Sequence, residues 1–597
     1  MTSRQPALTL RLGLSLLERM FVRQDGALRP TALVLAFRRS DGDLRQPLRK
    51  LLLRKNGATR PILPKRLAVV IRAPWWRVWL DRYDTPPAGW PLQPGQDHPS
   101  QARDVLVLLH IDGKTDLAFL DRLRRCSGLQ GAPGLLVVPR FTQDVPDAIR
   151  QKARSYWPGA MPDDAPDRII LVDPRTLPRK HGMYLLLDAL RSQTAAVIAF
   201  GDDMVIDRHG QMSDPWFKPG FDPLLAAQGM LFGPMTALRL DRLQNPQAVW
   251  ASLRGDNMEL DDPLITIATA VSRDEVLHCP HVVAFRFERA VMPRKQIRPP
   301  VPYPLPIVSI IIPTRDGWDL LGPCLESLGQ TDWPADRLEI LVVDNGSTDP
   351  SCLAGLQRAE AVGSVRVLRD PRPFNFAALS NRAASQAKGD LLIFLNNDTL
   401  ALRPDWLSVL AAFTSLPRAG AVGPKLLYAD GRVQHAGLVF GLYGRAVHVH
   451  VGLPSDAGGY QGLAAVSHEV SGVTGACLAV RRAAFEAVGG FDEGFPVAYN
   501  DMVLCGDLMK KGYRNLYVAE PLFYHLESRT RGNLDNPEKE QREADAAARA
   551  RARHPDMFAA DPHYSPNLSL DAPYVPADPP RRRAPWEPVA DQSPPAD

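Results

Sequence analysis

A chain of 597 residues exceeds what one hydrophobic core organises, so two or three domains are expected. Its 45% apolar and 23% charged residues exclude a disordered or low-complexity chain. The net charge of +5 is unevenly placed: residues 1–82 hold 18 Lys and Arg against 5 Asp and Glu, and the rest is net acidic.

Residues 1–105 form a basic, proline-punctuated N-terminal region. Residues 7–22 are apolar, but Arg11 and Glu18–Arg19 interrupt them and no small-residue cleavage site follows, so they do not read as a signal peptide. No run of about 18 apolar residues marks a membrane-spanning helix. Trp75, Trp76 and Trp79 lie among Arg72, Arg77 and Arg82. That mixture suits peripheral contact with an anionic membrane face, or a small β-rich core containing tryptophan. The basic charge brings no recognisable nucleic-acid-binding motif, so nucleic acid is not expected as a partner.

Residues 106–292 alternate short apolar runs with turn residues. Val105–Ile111, Gly134–Val138, Arg168–Val172 and Ala195–Phe200 read as buried parallel strands. A GDDMVID stretch follows at 201–207. Residues 293–306 hold six prolines in fourteen positions, which predicts an extended linker.

Residues 307–530 give the clearest α/β alternation. A strand at 307–313 precedes a helix at about 319–329, whose Leu320, Leu321, Cys324, Leu325 and Leu328 share one 3.6-period face. Strands follow at 338–344 and 365–368, then a helix at about 375–388, a strand at 391–395 and a helix at 404–415. Short β–α loops imply a mostly parallel, doubly wound sheet. Residues 531–571 read as a C-terminal helical extension, and the proline-rich 572–597 as a disordered tail. The six cysteines (126, 279, 324, 352, 477, 505) have no framework spacing and suit a reducing cytoplasm.

Two strands end abruptly in polar side chains. One runs into Asp344 within VVDNGSTD (342–349), the other into Asn396-Asn397-Asp398 within FLNNDT (394–399). In an open α/β sheet the carboxyl ends of strands form the ligand crevice, so both carboxylates face one site. Together with IVSIIIPTRD (307–316), PFNFAALSNRAA (373–384), QHAGLVFGL (434–442), VTGACLAVRRAAFEAVGGFDE (473–493), AYND (498–501) and YHLES (524–528), this order of motifs resembles the inverting glycosyltransferases of family 2. The likeness is nearest the rhamnosyltransferase-like branch of O-antigen and cell-wall polysaccharide enzymes. It extends faintly to DPHYSPNLSL at 561–570.

The resemblance implies a GT-A fold and transfer of a sugar from a UDP- or dTDP-linked donor to a surface polysaccharide or lipid-linked glycan. It assigns nucleotide-sugar binding to Pro313, Thr314, Arg315, Asp344 and Asn397. It assigns a Mg²⁺ or Mn²⁺ site to Asp398, Asn396 and His525, and the catalytic base to Asp501. The stretch 201–223 resembles the later half of a second such domain, so 106–292 reads as a degenerate GT-A-like domain, with Asp202 and Asp203 a lesser second site. The sequence departs from the family at Val503, where a second acid usually stands; Asp507, one turn further on, is the nearest substitute. His435, His448 and His450 lie in a glycine-rich stretch and invite a metal reading, but HxH without further ligands is weak. Expected placement is cytoplasmic, on the inner membrane face if the basic arm touches lipid. The rival reading is a catalytically weak glycan-binding or assembly scaffold.

Overall fold

The computed structural model describes residues 73–87, 105–126, 135–254, 261–287, 296–526 and 537–587. The chain divides into two compact units: residues 1–85 with 204–215, and residues 86–203 with 216–597. Most of the basic arm, residues 7–22 and positions 588–597 lie outside the described residues.

In the first unit, the described part of the tryptophan cluster is helical rather than β-rich, running Ala73–Tyr83. Trp76 and Trp79 are buried and meet edge to face at 6.4 Å, the arrangement of a core rather than of an exposed aromatic belt.

Apart from residues 204–215, which the division assigns to the first unit, two large sheets make up the second unit. The first comprises β1 (Val105–Ile111), β2 (Leu135–Phe141), β3 (Arg168–Val172), β4 (Thr176–Pro178), β5 (Ile198–Ile206), β6 (Met212–Trp216), β7 (Met235–Arg239) and β8 (Val276–Arg286). Its main path runs β2-β1-β3-β7-β5-β8-β4. The second comprises β9 (Val308–Thr314), β10 (Leu338–Asp344), β11 (Arg366–Arg369), β12 (Leu391–Leu395), β13 (Thr399–Ala401), β14 (Ala419–Leu427), β15 (Val433–His435), β18 (His468–Glu469), β19 (Cys477–Arg481) and β20 (Arg514–His525). Its path runs β11-β10-β9-β12-β19-β14-β20-β13. A separate hairpin pairs β16 (Leu438–Phe440) with β17 (Ala446–His448).

In the second sheet the four strands β11, β10, β9 and β12 are parallel, and β19 then runs antiparallel to β12. The parallel half carries the crevice because all four strands end on the same edge. Burial on both faces explains their continuous apolar sequence: Ile310 and Ile312 enter one core with Leu321, Cys324 and Leu328, while Ile311 enters the other with Ala377, Leu379 and Phe394. The helix Trp318–Leu328 keeps its predicted face inward. Asp349 caps the helix Pro350–Ala361 by accepting the Cys352 N–H at 2.8 Å, and Asn375 caps Phe376–Gln386 in the same way. Pro404 lies just before the helix Trp406–Thr414, not inside it.

The proline-rich segment is not a free spacer. Arg298 bonds Asp405 at 2.8 Å, and the Leu305 carbonyl accepts from Arg337 at 2.6 Å. The two sheets also share a seam. The Asp222 carboxylate accepts the Glu469 N–H at 2.7 Å, Gln228 donates to the Ser467 carbonyl at 2.8 Å, and Arg273 pairs with Glu469. Leu463 and Val466 enter the first sheet's core.

Residues 572–587 correct the expectation of disorder. Arg581 donates to the carbonyls of Ser565 (3.0 Å) and Leu568 (3.2 Å), the Ala577 N–H reaches the Asn567 carbonyl, and the Trp586 ring packs on His281. Proline here fixes turns whose hydrogen bonds come from neighbouring residues, a role composition does not distinguish from disorder.

Candidate active site

Each candidate ligand stands where a strand stops. β9 ends at Thr314 and β10 at Asp344, which are register partners. The Asn345 N–H donates to the Thr314 carbonyl at 2.9 Å, so the two strand ends continue as one loop edge. The Asp344 side chain is 1% exposed, accepts the Ser347 N–H at 3.0 Å and pairs with the guanidinium of Arg369, its register partner on β11. Asp316, in the left-handed region at φ 48°, accepts the N–H groups of Thr348 (2.6 Å) and Asp349 (2.7 Å). Those two bonds hold its carboxyl below the usual carboxylate range and tie the loop after β9 to the loop after β10. Arg315 is exposed, 3.8 Å from Asp316, and Pro313 is half-buried.

The Asn396-Asn397-Asp398 turn divides its work. Asn397 donates to the Thr314 hydroxyl at 3.0 Å, which joins the nucleotide candidates to this turn. Asp398 and His525 approach to 3.3 Å, and Asn396 lies 3.4 Å from the same His525 Nε2. The register of β13 on β20 produces this convergence, because Thr399 stands opposite His525. Among the described residues no group of three or more His, Cys, Asp or Glu forms a metal cluster. Two such ligands and one amide fit a hard divalent cation only when phosphate oxygens and water complete its shell.

Asp501 opens the helix Asn500–Lys510, behind Tyr499 in the left-handed region. Its Oδ2 accepts the Gly475 N–H at 2.8 Å and its Oδ1 the Met502 N–H at 2.9 Å. The next residue, Ala476, accepts the Asn396 N–H at 3.0 Å. One dipeptide, Gly475–Ala476, therefore touches both Asp501 and the metal-candidate turn.

Val503 does not face this crevice. It is 1% exposed in an apolar cluster with Leu438, Phe440, Met502, Ala550 and Phe558. Asp507 does not compensate: Arg553 donates to it at 2.8 and 3.1 Å, from the end of the helix Pro537–Arg553. The three histidines form no metal site either. His435 and His448 contact each other at 3.1 Å, and burial foremost, with His448 and His525 nearby, holds His435 well below its ordinary value. His450 stacks on Tyr574 at 4.7 Å.

Asp202 and Asp203 are a structural network rather than a second site. Asp203 binds Lys218 and Arg286, each at 2.7 Å, while Asp202 takes His278 and Asn567, each at 2.8 Å. Buried carboxylates paired this way are held by their partners.

Sequence reasoning missed Arg369, Asp316 and Gly475. Asp316 was visible within PTRD. Arg369 needed the register of β11, and Gly475 needed the distance between helix and strand, neither of which local sequence carries.

Along one edge of the mixed sheet, strand ends thus gather the Asp344 carboxylate, the Asn396-Asn397-Asp398 turn and the helix-borne Asp501. Residues 309–489 match the family model described as glycosyl transferase family 2. It is 32% identical over 427 residues to the O-antigen biosynthesis protein RfbC of Myxococcus xanthus, covering 66% of this chain and 33% of that one. It is 43% identical over 272 residues to protein y4gI of Sinorhizobium fredii, covering 45% of this chain and 29% of that one. It is 29% identical over 268 residues to the N-acetylglucosaminyl-diphospho-decaprenol L-rhamnosyltransferase of Mycobacterium tuberculosis, covering 40% and 81%. The chain spans about a third or less of the first two relatives. No helix among the described residues is long and apolar enough to cross a membrane.

Proposed function

We propose that the chain is a metal-dependent inverting glycosyltransferase that moves a hexosyl or rhamnosyl unit from a UDP- or dTDP-linked donor to a polysaccharide or lipid-linked glycan. The observation that carries this reading is the Gly475–Ala476 dipeptide, which holds Asp501 on one side and the Asn396–Asp398 turn on the other. An inverting transfer needs its base and its leaving group on opposite sides of one sugar, a fixed short span apart.

Thr314, Asp344 and Asn397 bind the nucleoside portion of the donor, with Pro313 and Arg315 in the adjoining loop. Asp398, His525 and Asn396 would hold Mg²⁺ or Mn²⁺, which supplies charge neutralisation for the departing diphosphate. Asp501 takes the proton of the acceptor hydroxyl; the Gly475 and Met502 N–H groups keep its carboxylate oriented before the acceptor arrives. The names of the rhamnosyltransferase and O-antigen relatives support the polysaccharide acceptor. A cytoplasmic site, with peripheral contact through the basic arm, suits an acceptor built on a membrane.

The single carboxylate of the Asn396-Asn397-Asp398 turn favours one rival, a catalytically weak protein that binds or scaffolds glycan. Nucleotide release across UDP-, dTDP- and GDP-sugars, with Mn²⁺, Mg²⁺ or EDTA and with a lipid-linked glycan acceptor mixture, separates the two. Metal-dependent release from one donor, lost in Asp398→Ala and Asp501→Asn, supports the enzyme. Absence of both release and calorimetric donor binding supports the scaffold.

A further inference from the structure

The first sheet repeats the second strand for strand. The path β2-β1-β3-β7-β5-β8-β4 corresponds to β10-β9-β12-β19-β14-β20-β13, in the same chain order. Directions agree as well: β1 is parallel to β2 and β3, as β9 is to β10 and β12, and β7 then runs antiparallel to β3, as β19 does to β12. The first sheet has no counterpart of the edge strand β11 or of the short β18 beside β20.

This correspondence fixes residue equivalences. Between β12 and β13 stand Asn396-Asn397-Asp398; between β3 and β4 stand Asp173-Pro174-Arg175. The backbone bonds match. The Asp173 N–H reaches the Pro234 carbonyl at 2.9 Å, as Asn396 reaches Ala476, and the Phe287 N–H reaches the Arg175 carbonyl at 3.3 Å, as Leu526 reaches Asp398. Arg175 therefore holds the place of Asp398. Arg286, opposite Thr176, holds that of His525, opposite Thr399. Phe141, opposite Ile111, holds that of Asp344, opposite Thr314.

The charges are exchanged. After the first strand, the catalytic sheet has Arg315 and the copy has Asp112; in the turn, the catalytic sheet has Asp398 and the copy Arg175. In the catalytic sheet Arg315 turns toward Asp316. In the copy the two groups join, with Arg175 Nε 3.3 Å from Asp112 Oδ2. A guanidinium in the ligand position repels a divalent cation, and its pairing with Asp112 leaves a locally neutral crevice with little attraction for a diphosphate. Arg150 and Arg154 lie over the Phe141 ring at 5.2 and 5.4 Å, so the nucleoside position is covered too.

We infer that the amino-terminal sheet is an internal copy of the catalytic fold in which an Asp112–Arg175 ion pair replaces the metal and its diphosphate, so that the described residues hold one metal–nucleotide site rather than two. This rests on the metal-dependent reading of the second sheet.

The test is a titration of the full chain with Mn²⁺ and saturating UDP or dTDP, followed by the electron paramagnetic resonance of free Mn²⁺. One bound Mn²⁺ per chain is expected in wild type and in Arg175→Ala, and none in Asp398→Ala, with Asp398→Asn as the alternative if the alanine variant fails to fold. Two Mn²⁺ per chain, or one surviving in both Asp398 variants, would overturn the inference while leaving metal dependence standing. None in wild type would overturn the metal-dependent reading and the single-site claim with it.

Discussion

Arg369 stands directly opposite Asp344 in the parallel pair of β11 and β10, and its guanidinium is bound to the Asp344 carboxylate. The carboxylate is buried while the arginine is half exposed, so solvent reaches the pair from the arginine side. A nucleoside that hydrogen-bonds Asp344 must share or displace this guanidinium.

Asp344→Ala is therefore expected to weaken nucleoside diphosphate binding by roughly 10- to 100-fold, the worth of a charge-assisted hydrogen bond of about 1.5–3 kcal/mol. Calorimetric titration checks it. Unchanged affinity would remove Asp344 from the nucleotide site.

Asp501→Asn keeps an oxygen for one of the two N–H donors, Gly475 or Met502, but loses the basic carboxylate. Turnover should fall by about 10²- to 10⁴-fold, the usual contribution of a positioned base, with donor affinity preserved. Steady-state kinetics beside calorimetry would show whether the loss lies in kcat, as proposed, or in binding.

Val503→Asp places a carboxylate among Leu438, Phe440, Met502 and Phe558. A buried charge without a partner costs about 3–5 kcal/mol, so the variant should unfold at a lower temperature and gain no activity. Thermal unfolding followed by circular dichroism decides it. A stable variant with raised activity would mean that the position reaches the crevice.

Burial, reinforced by Glu469, raises the Asp222 carboxyl to about 7. The folded protein therefore holds a proton that the unfolded chain has released between pH 3.8 and about 7. Stability from this group is present below that window and declines as pH rises through it. Comparing the melting temperature of wild type and Asp222→Asn across pH 4–8 isolates the effect. The wild type should lose ground relative to the variant as pH rises; parallel curves would contradict the assignment.

The strands of the crevice were legible because burial on both faces leaves a continuous apolar run that polar residues then end. β10 and β12 match their predicted limits, and β9 is displaced by one residue. Partners set by register were not legible. Nothing near Asp344 in the sequence points to Arg369, and nothing near Val503 announces Ala550, which packs with it in one cluster. The ordering of 572–587 was missed for the same reason: its bonds run to residues 559–569, whose own placement depends on both sheets.

The segment 561–567 touches both halves of the second unit. Asp561 accepts the Phe440 N–H at 2.8 Å and takes the Ser471 hydroxyl, while Asn567 donates to Asp202 in the first sheet. During synthesis both sheets emerge before this segment does. Until it arrives, Asp202 lacks one of its donors and the Phe440 N–H lacks its acceptor. A ribosome that stops short of residue 561 would thus release a chain with both sheets present and neither finished, a state that proteases and chaperones distinguish from a chain carrying residues 561–567.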